Sequence, residues 1–203
     1  SYLLSMRAAR YYKDYVNHPG FIKRVTDRPF ETVTRQQIYD YATEGGKLDY
    51  PPGTSQKYSH TDFTILGDIL ERATGRTMPD LYEKEIFERL GLKSTGYSSS
   101  PDLPAPVLHA FSWDRGVYED CTFWNPSWTG ESGPLYSTLA DLRVWAKNFG
   151  KGSLLTPQSF AQLIARPKGG GQDPYFASGF VVANGWYVQN PSFNGYSGAF
   201  GYL

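Results

Sequence analysis

The sequence of 203 residues holds a single cysteine, Cys121. It can therefore form no internal disulfide and no cysteine-based metal cluster, and the redox compartment is left open. Histidine is almost as scarce: His18, His60 and His109 are scattered and show no metal-ligand spacing, so neither a metal nor another cofactor is expected. An excess of charge of one sign is also missing. Lys and Arg total 20 against 20 Asp and Glu, without a basic stripe or a like-charged block, so nothing calls for a phosphate-backbone partner and nucleic acid is disfavoured. No apolar run reaches membrane-spanning length. The opening Ser1-Tyr2-Leu3-Leu4-Ser5 has no charged region, long apolar stretch or cleavage site of a signal peptide. It has no initiating Met, and the last residues, Gly201-Tyr202-Leu203, fall inside a strand-like pattern. Both ends are expected to be truncated.

What is present fits a globular chain able to bury a core. Hydrophobic residues make up 40% and charged residues 20%, and the aromatic share of 16% is high, a composition that accompanies pockets and ligand-facing surfaces. One compact unit, or a domain with a lobed subdomain, is the expectation for this length.

Thr34 and Gln37 have capping-box spacing, which predicts a helix through Ile38 and Ala42 to Gly45-Gly46. A longer helix is predicted from about Thr61, with Phe63, Leu66, Ile69, Leu70 and Ala73 on its inward face and Gly75 as C-cap. Another runs from Thr77, with Pro79 in its first turn, through Tyr82, Ile86 and Leu90 to Gly91. From Lys93 to about Pro134 the text reads as long loops with short strands, the kind of segment that lines sites. Helical pattern returns at Thr138, with Leu139, Leu142, Ala146 and Phe149 inward, and again from Thr156-Pro157 to before Pro167. Lys168-Gly169-Gly170-Gly171 reads as a flexible connector. Beyond it Phe180-Val181-Val182 and Trp186-Tyr187-Val188 flank Asn184-Gly185, a hairpin signal, and a third strand is predicted within Phe193–Leu203. Helices and long loops over about 1–167, then antiparallel strands over about 175–203, predict an α+β fold.

The segment Pro52-Gly53-Thr54-Ser55-Gln56-Lys57-Tyr58-Ser59-His60-Thr61-Asp62-Phe63 runs on into Ile65-Leu66-Gly67-Asp68-Ile69-Leu70-Glu71 and Thr74-Gly75-Arg76. It closely resembles the Tyr-x-Asn motif region of class C β-lactamases and D-alanyl-D-alanine carboxypeptidases, with His60 standing where that family has Asn. Ile86 to Leu92 continues the likeness, and Leu3-Leu4-Ser5-Met6-Arg7 resembles the family's stretch between nucleophile helix and Tyr motif. Trp124-Asn125-Pro126-Ser127-Trp128, Ser132-Gly133 and Ser137 to Leu142 are similar to its approach to a late helix. Gly195-Tyr196-Ser197-Gly198 sits where the family has Lys-Thr-Gly or His-x-Gly on the strand that edges the active site. The resemblance implies a β-lactamase/transpeptidase-like fold, here mostly the helical subdomain plus part of the sheet. It also implies a serine hydrolase working through an acyl-enzyme on an ester, amide or β-lactam, and hints at the cell envelope or secretion.

Acyl transfer by a serine needs a neighbour that takes the hydroxyl proton and returns it to the leaving group, worth roughly 10²–10⁴ in rate. Tyr58 is the candidate, and a phenol suits the task only beside cations that lower its ordinary pKa of about 10. Lys57 is the nearest cation in sequence, and His60 contributes when protonated. The alternatives are a loop aromatic packed on a helix start for Tyr58 and local cap bonds for His60. As a site residue, His60 would donate to a substrate carbonyl in place of the family's Asn, with a pH dependence. Tyr196, Ser197 and Gly198 are candidates for binding an extended acyl substrate as an added strand, with Trp128 nearby, and an ordinary edge strand is the alternative. Tyr196 lacks the charge a Lys would offer a carboxylate, which favours ester or neutral amide substrates. The expected geometry places the Tyr58 phenol in a cleft whose opposite wall is the final strand.

None of the nine lysines has a serine three positions earlier. Thr54-Ser55-Gln56-Lys57 comes nearest, with a threonine in the serine's place and Pro51-Pro52-Gly53 working against a preformed helix. The resemblance puts Ser-x-x-Lys upstream of Leu3–Arg7, before Ser1, so no nucleophile is assigned among these residues. Neither Gly130-x-Ser132-Gly133 nor Gly195-x-Ser197-Gly198 makes the nucleophile elbow of α/β-hydrolases. The competing expectation is a non-catalytic module that reads peptides or glycans through Trp124, Trp128 and Tyr196.

Overall fold

Cap chemistry sets the limits of nearly every helix. In the computed structural model, which describes residues 14–167 and 172–203, a 3₁₀ turn at Tyr15–Asn17 leads into α1 (Pro19–Asp27). Pro19 opens α1 and the His18 ring accepts from the Gly20 N–H, a start that the sequence reading missed because His is not a usual cap. α2 (Arg35–Thr43) carries the full capping box of Thr34 and Gln37. α3 (His60–Thr74) is capped by the Ser59 hydroxyl, which accepts from the Asp62 N–H, and is closed by Gly75 in the left-handed conformation at φ 68°. α4 (Met78–Tyr82) runs through a π-helical turn (Glu83–Phe87) into α5 (Glu88–Leu90). That turn stacks the Tyr82 and Phe87 rings, five residues apart, at 6.0 Å. The connector at Lys168–Gly171 and the stretch Leu3–Arg7 lie outside the described residues.

The loop-rich middle contains β1 (Gly96–Tyr97), β2 (Phe111–Ser112), β3 (Glu119–Asp120), a 3₁₀ segment (Pro126–Ser132) and β4 (Leu135–Tyr136). β1 pairs with β4 and β2 with β3, both antiparallel. α6 (Leu139–Gly150) and α7 (Pro157–Ile164) are capped by Thr138 and Thr156. Among the described residues no helix is long and apolar enough to cross a membrane.

The inward face predicted for α3 needs correction. Thr61, Asp62, Thr64 and Gly67 are its buried residues, while Ile69 and Leu70 are exposed. The reason is close approach. α3 lies on the 3₁₀ segment, so that a Cβ at Gly67 would collide with the Glu131 side chain and one at Gly130 with Thr64. Small residues are needed at that contact, and the large apolar ones turn elsewhere. Leu139 on α6 is likewise 82% exposed rather than inward, whereas Phe149 packs edge-on against Phe180 at 4.8 Å.

β5 (Tyr175–Phe176), β6 (Val181–Ala183), β7 (Trp186–Gln189), a separate hairpin of β8 (Ser192–Phe193) and β9 (Tyr196–Ser197), and β10 (Phe200–Tyr202) follow. The main sheet is antiparallel in the order β10-β7-β6-β5. Asn184 and Gly185 have φ values of 49° and 82°, the pair of left-handed residues that a type I′ turn requires. The third predicted strand is split, because Asn194 and Gly195 (φ 39° and 79°) make a second Asn-Gly turn that folds β9 back on β8 before β10 begins. Helices first and antiparallel strands last make an α+β fold, as the sequence pattern predicts.

Three apolar clusters hold this arrangement. Tyr15, Phe21, Val33, Ile38 and Ala42 form one under α1 and α2. Ala110, Cys121 and Trp124 form a second against Tyr196, and Ala177, Phe180 and Val182 a third beneath α6, α7 and the sheet.

Candidate active site

Tyr58 and His60 flank the N-cap Ser59, so the start of α3 fixes both by backbone geometry. Their rings meet edge to face with centroids 4.8 Å apart. His60 is anchored from below. Its Nδ1 lies 2.7 Å from Asp14 Oδ2, and its backbone N–H donates to the same oxygen at 2.9 Å. The Thr61 N–H and hydroxyl donate to Asp14 Oδ1 at 3.2 and 3.0 Å. Asp14 is 1% exposed and accepts at both oxygens. Burial alone would raise its pKa, but the His60 hydrogen bond and charge, with the backbone bonds, hold it below the ordinary carboxylate range.

Tyr58 is 53% exposed, and its ring also approaches Phe176 of β5 edge-on at 6.4 Å. Gln56 donates to the Phe176 carbonyl at 3.4 Å, so the motif loop rests on that edge of the sheet. Burial, then the Asp14 charge, push the Tyr58 phenol above its ordinary pKa. Lys57, the cation expected to help, has its ammonium 3.0 Å from Asp49.

Tyr196, Ser197 and Gly198 line the wall of a cleft of about 680 Å³ that also takes in Thr122, Trp124 and Leu139. Tyr58, His60 and Trp128 are not among the residues lining it. The Tyr196 hydroxyl donates to the Leu108 carbonyl at 2.6 Å, and its ring packs on the Ala110, Cys121 and Trp124 cluster. The Cys121 thiol donates to the Asn194 carbonyl at 2.8 Å and pins the turn that presents β9. Among the described residues β9 pairs with β8 alone. Trp128 stacks on Phe193 at 5.4 Å and 9° and meets Phe21 edge-on at 6.5 Å, bridging the helical core to the β8–β9 hairpin. The structure thus brings Tyr58 and His60 together, and Tyr196, Ser197 and Gly198 together, with Trp128 as a packing link. No group of three or more His, Cys, Asp or Glu that could hold a metal ion occurs among the described residues.

Asp14 is the site residue that sequence reasoning missed. It stands 46 positions before His60 and carries no motif, and only the fold joins them.

Fold and motif together define a β-lactamase-type domain. The chain matches the Beta-lactamase family over residues 32–203 and belongs to that family. It is 34% identical over 120 residues to the D-alanyl-D-alanine-carboxypeptidase/endopeptidase AmpH of Escherichia coli, a match covering 59% of this chain and 29% of that protein. It is 30% identical over 105 residues to a D-aminopeptidase of Cereibacter sphaeroides, covering 47% of this chain and 18% of that one. Among solved structures, a D-stereospecific amidohydrolase from Streptomyces superposes with a TM-score of 0.85 at 24% identity, over 96% of this chain and 61% of its own. A penicillin-binding protein from Bacillus halodurans gives 0.77 at 21%, over 98% and 63%. These structures establish the β-lactamase/transpeptidase fold. The chain spans about a third or less of the two curated relatives and about three fifths of the two structural ones.

Proposed function

We propose that this chain is the central and later part of a serine hydrolase domain that works through an acyl-enzyme on an ester, amide or β-lactam, with Tyr58 as the proton-transferring group. The observation that carries the reading is the Tyr58-Ser59-His60 motif held at the capped start of α3 inside a family match over residues 32–203. The names of the relatives, a carboxypeptidase, an aminopeptidase and an amidohydrolase, favour amide and peptide bonds. Ser197 and the backbone of β9 are suited to hold an extended acyl chain, because β9 has a partner on one side only among the described residues. The nucleophile in this reading is a Ser-x-x-Lys pair outside these 203 residues. A full-length protein should be labelled covalently by a fluorophosphonate or a β-lactam and should turn over an activated ester. Absence of labelling and of turnover, with Tyr58→Phe behaving as the parent, would overturn the proposal.

A non-catalytic peptide or glycan reader draws less support. Trp124 is 7% exposed, Trp128 is stacked on Phe193 and the Tyr196 ring packs on the Ala110, Cys121 and Trp124 cluster, so its three aromatic contacts are all engaged in packing.

A further inference from the structure

A neutral imidazole carries one N–H, and the hydrogen bond made by one ring nitrogen decides what the other can do. At His60 that choice is made by Asp14. Its carboxylate, 1% exposed and acceptor-only when ionised, faces Nδ1 at 2.7 Å. The same carboxylate takes the His60 N–H and both Thr61 donors, so the anion is fixed by the helix it caps and cannot swing away. Tyr15, the next residue after Asp14, closes another side of the ring edge-on at 6.1 Å, and Tyr58 a third at 4.8 Å.

We propose that Asp14 is a positioning residue that holds His60 as the Nδ1–H tautomer, so that neutral His60 presents a lone pair at Nε2 and becomes a donor there only when protonated. This deepens the function proposed above and rests on it for its catalytic consequence. The family's Asn offers an amide N–H at every pH. In this chain donation from Nε2 to a substrate carbonyl needs the imidazolium, whereas the neutral Nδ1–H form offers only an acceptor there. Asp14, Tyr15 and Tyr58 are titratable groups that face the ring. The Nε2 lone pair of the neutral form instead suits a substrate that brings a donor, such as an ammonium or amide N–H.

The test uses the full-length protein labelled with ¹⁵N-histidine, the His60 signals being assigned by their loss in His60→Asn. The parent should show the Nδ1–H pattern, and Asp14→Asn, whose amide can donate to Nδ1, should move His60 towards Nε2–H. Ester or amide turnover should fall about 10- to 100-fold in Asp14→Asn, the range for loss of an orienting partner. In a His60→Asn background the same change should have less than about a twofold effect. An Nε2–H signal in the parent, or an equal loss of turnover in both backgrounds, overturns the proposal and leaves Asp14 as a brace for α3 alone. Absence of turnover in every variant counts against the hydrolase reading, while the tautomer signal still decides the role of Asp14.

Discussion

The carboxylate of Asp14 lies 2.7 Å from the imidazole of His60 and accepts hydrogen bonds from His60 and Thr61 at both of its oxygens. One buried side chain thereby ties the chain before α1 to the first turn of α3 and orients a ring beside Tyr58.

Removing that acceptor leaves several donors buried without a partner, which is more costly than the net value of the bonds themselves. Asp14→Ala should lower unfolding free energy by about 2–4 kcal/mol, measured by urea denaturation near neutral pH. The pH dependence has a definite sign. The folded-state pKa of Asp14 is held below the ordinary carboxylate value, so its stabilisation is present above the unfolded pKa and is lost as pH falls through the folded one. The gap between parent and Asp14→Ala should close on acidification, and a gap that widened would refute the assignment.

Tyr58 is half exposed at the loop before α3, so trimming its hydroxyl should cost the fold little. If the phenol shuttles the proton in acyl transfer, Tyr58→Phe should reduce kcat/KM of the full-length protein by roughly 10²–10⁴. Steady-state kinetics together with thermal melting separates the two effects. A loss of activity accompanied by an equal loss of stability would mark the ring as a packing residue instead.

Gly195 carries φ 79°, and a Cβ there would run into the backbone of Phe111. Both faults act on the turn that presents Tyr196 and Ser197 to the cleft. Gly195→Ala should destabilise by about 1–3 kcal/mol. Gly198, with only the Pro191 side chain at 3.9 Å from an added Cβ, should accept alanine with a far smaller loss. Comparing the two melting curves checks the claim, and similar losses would contradict it.

The sequence disclosed local chemistry far better than long-range contact. Thr34 with Gln37, Gly75, Thr77, Thr138, Thr156 and Asn184-Gly185 announce their caps and turn through the residue types at fixed offsets, and all are found there. The burial of α3 was misread for a physical reason. Apolar periodicity marks the face that gains most from leaving water, yet the contact with the 3₁₀ segment is set by how near two backbones must come, which selected Thr64 and Gly67. The second hairpin escaped because Asn194-Gly195 lies inside a run that reads as one strand. Of the site, Tyr58 and His60 were legible through their motif, and Asp14 was not, since its partnership exists only once α3 packs on the preceding turn.

Arg35 supplies the last prediction. From the first position of α2 its guanidinium contacts Asp68 at 3.4 Å and Glu71 at 2.7 Å on α3, and Glu131 on the 3₁₀ segment. Glu131 has a side chain 7% exposed and one oxygen, Oε2, with no hydrogen-bond partner, and burial raises its pKa against the pull of Arg35. Taking the cation away strands a buried carboxylate, a loss of about 3–5 kcal/mol, whereas removing both charges avoids that penalty. Arg35→Met should therefore destabilise strongly, and adding Glu131→Gln should restore part of the loss, giving a coupling well above the roughly 0.5 kcal/mol scatter expected of independent sites. Chemical denaturation of the two single variants and the double variant completes the cycle. Additive losses would mean that α2, α3 and the 3₁₀ segment are joined by their packed side chains and that the charges contribute nothing to the joint.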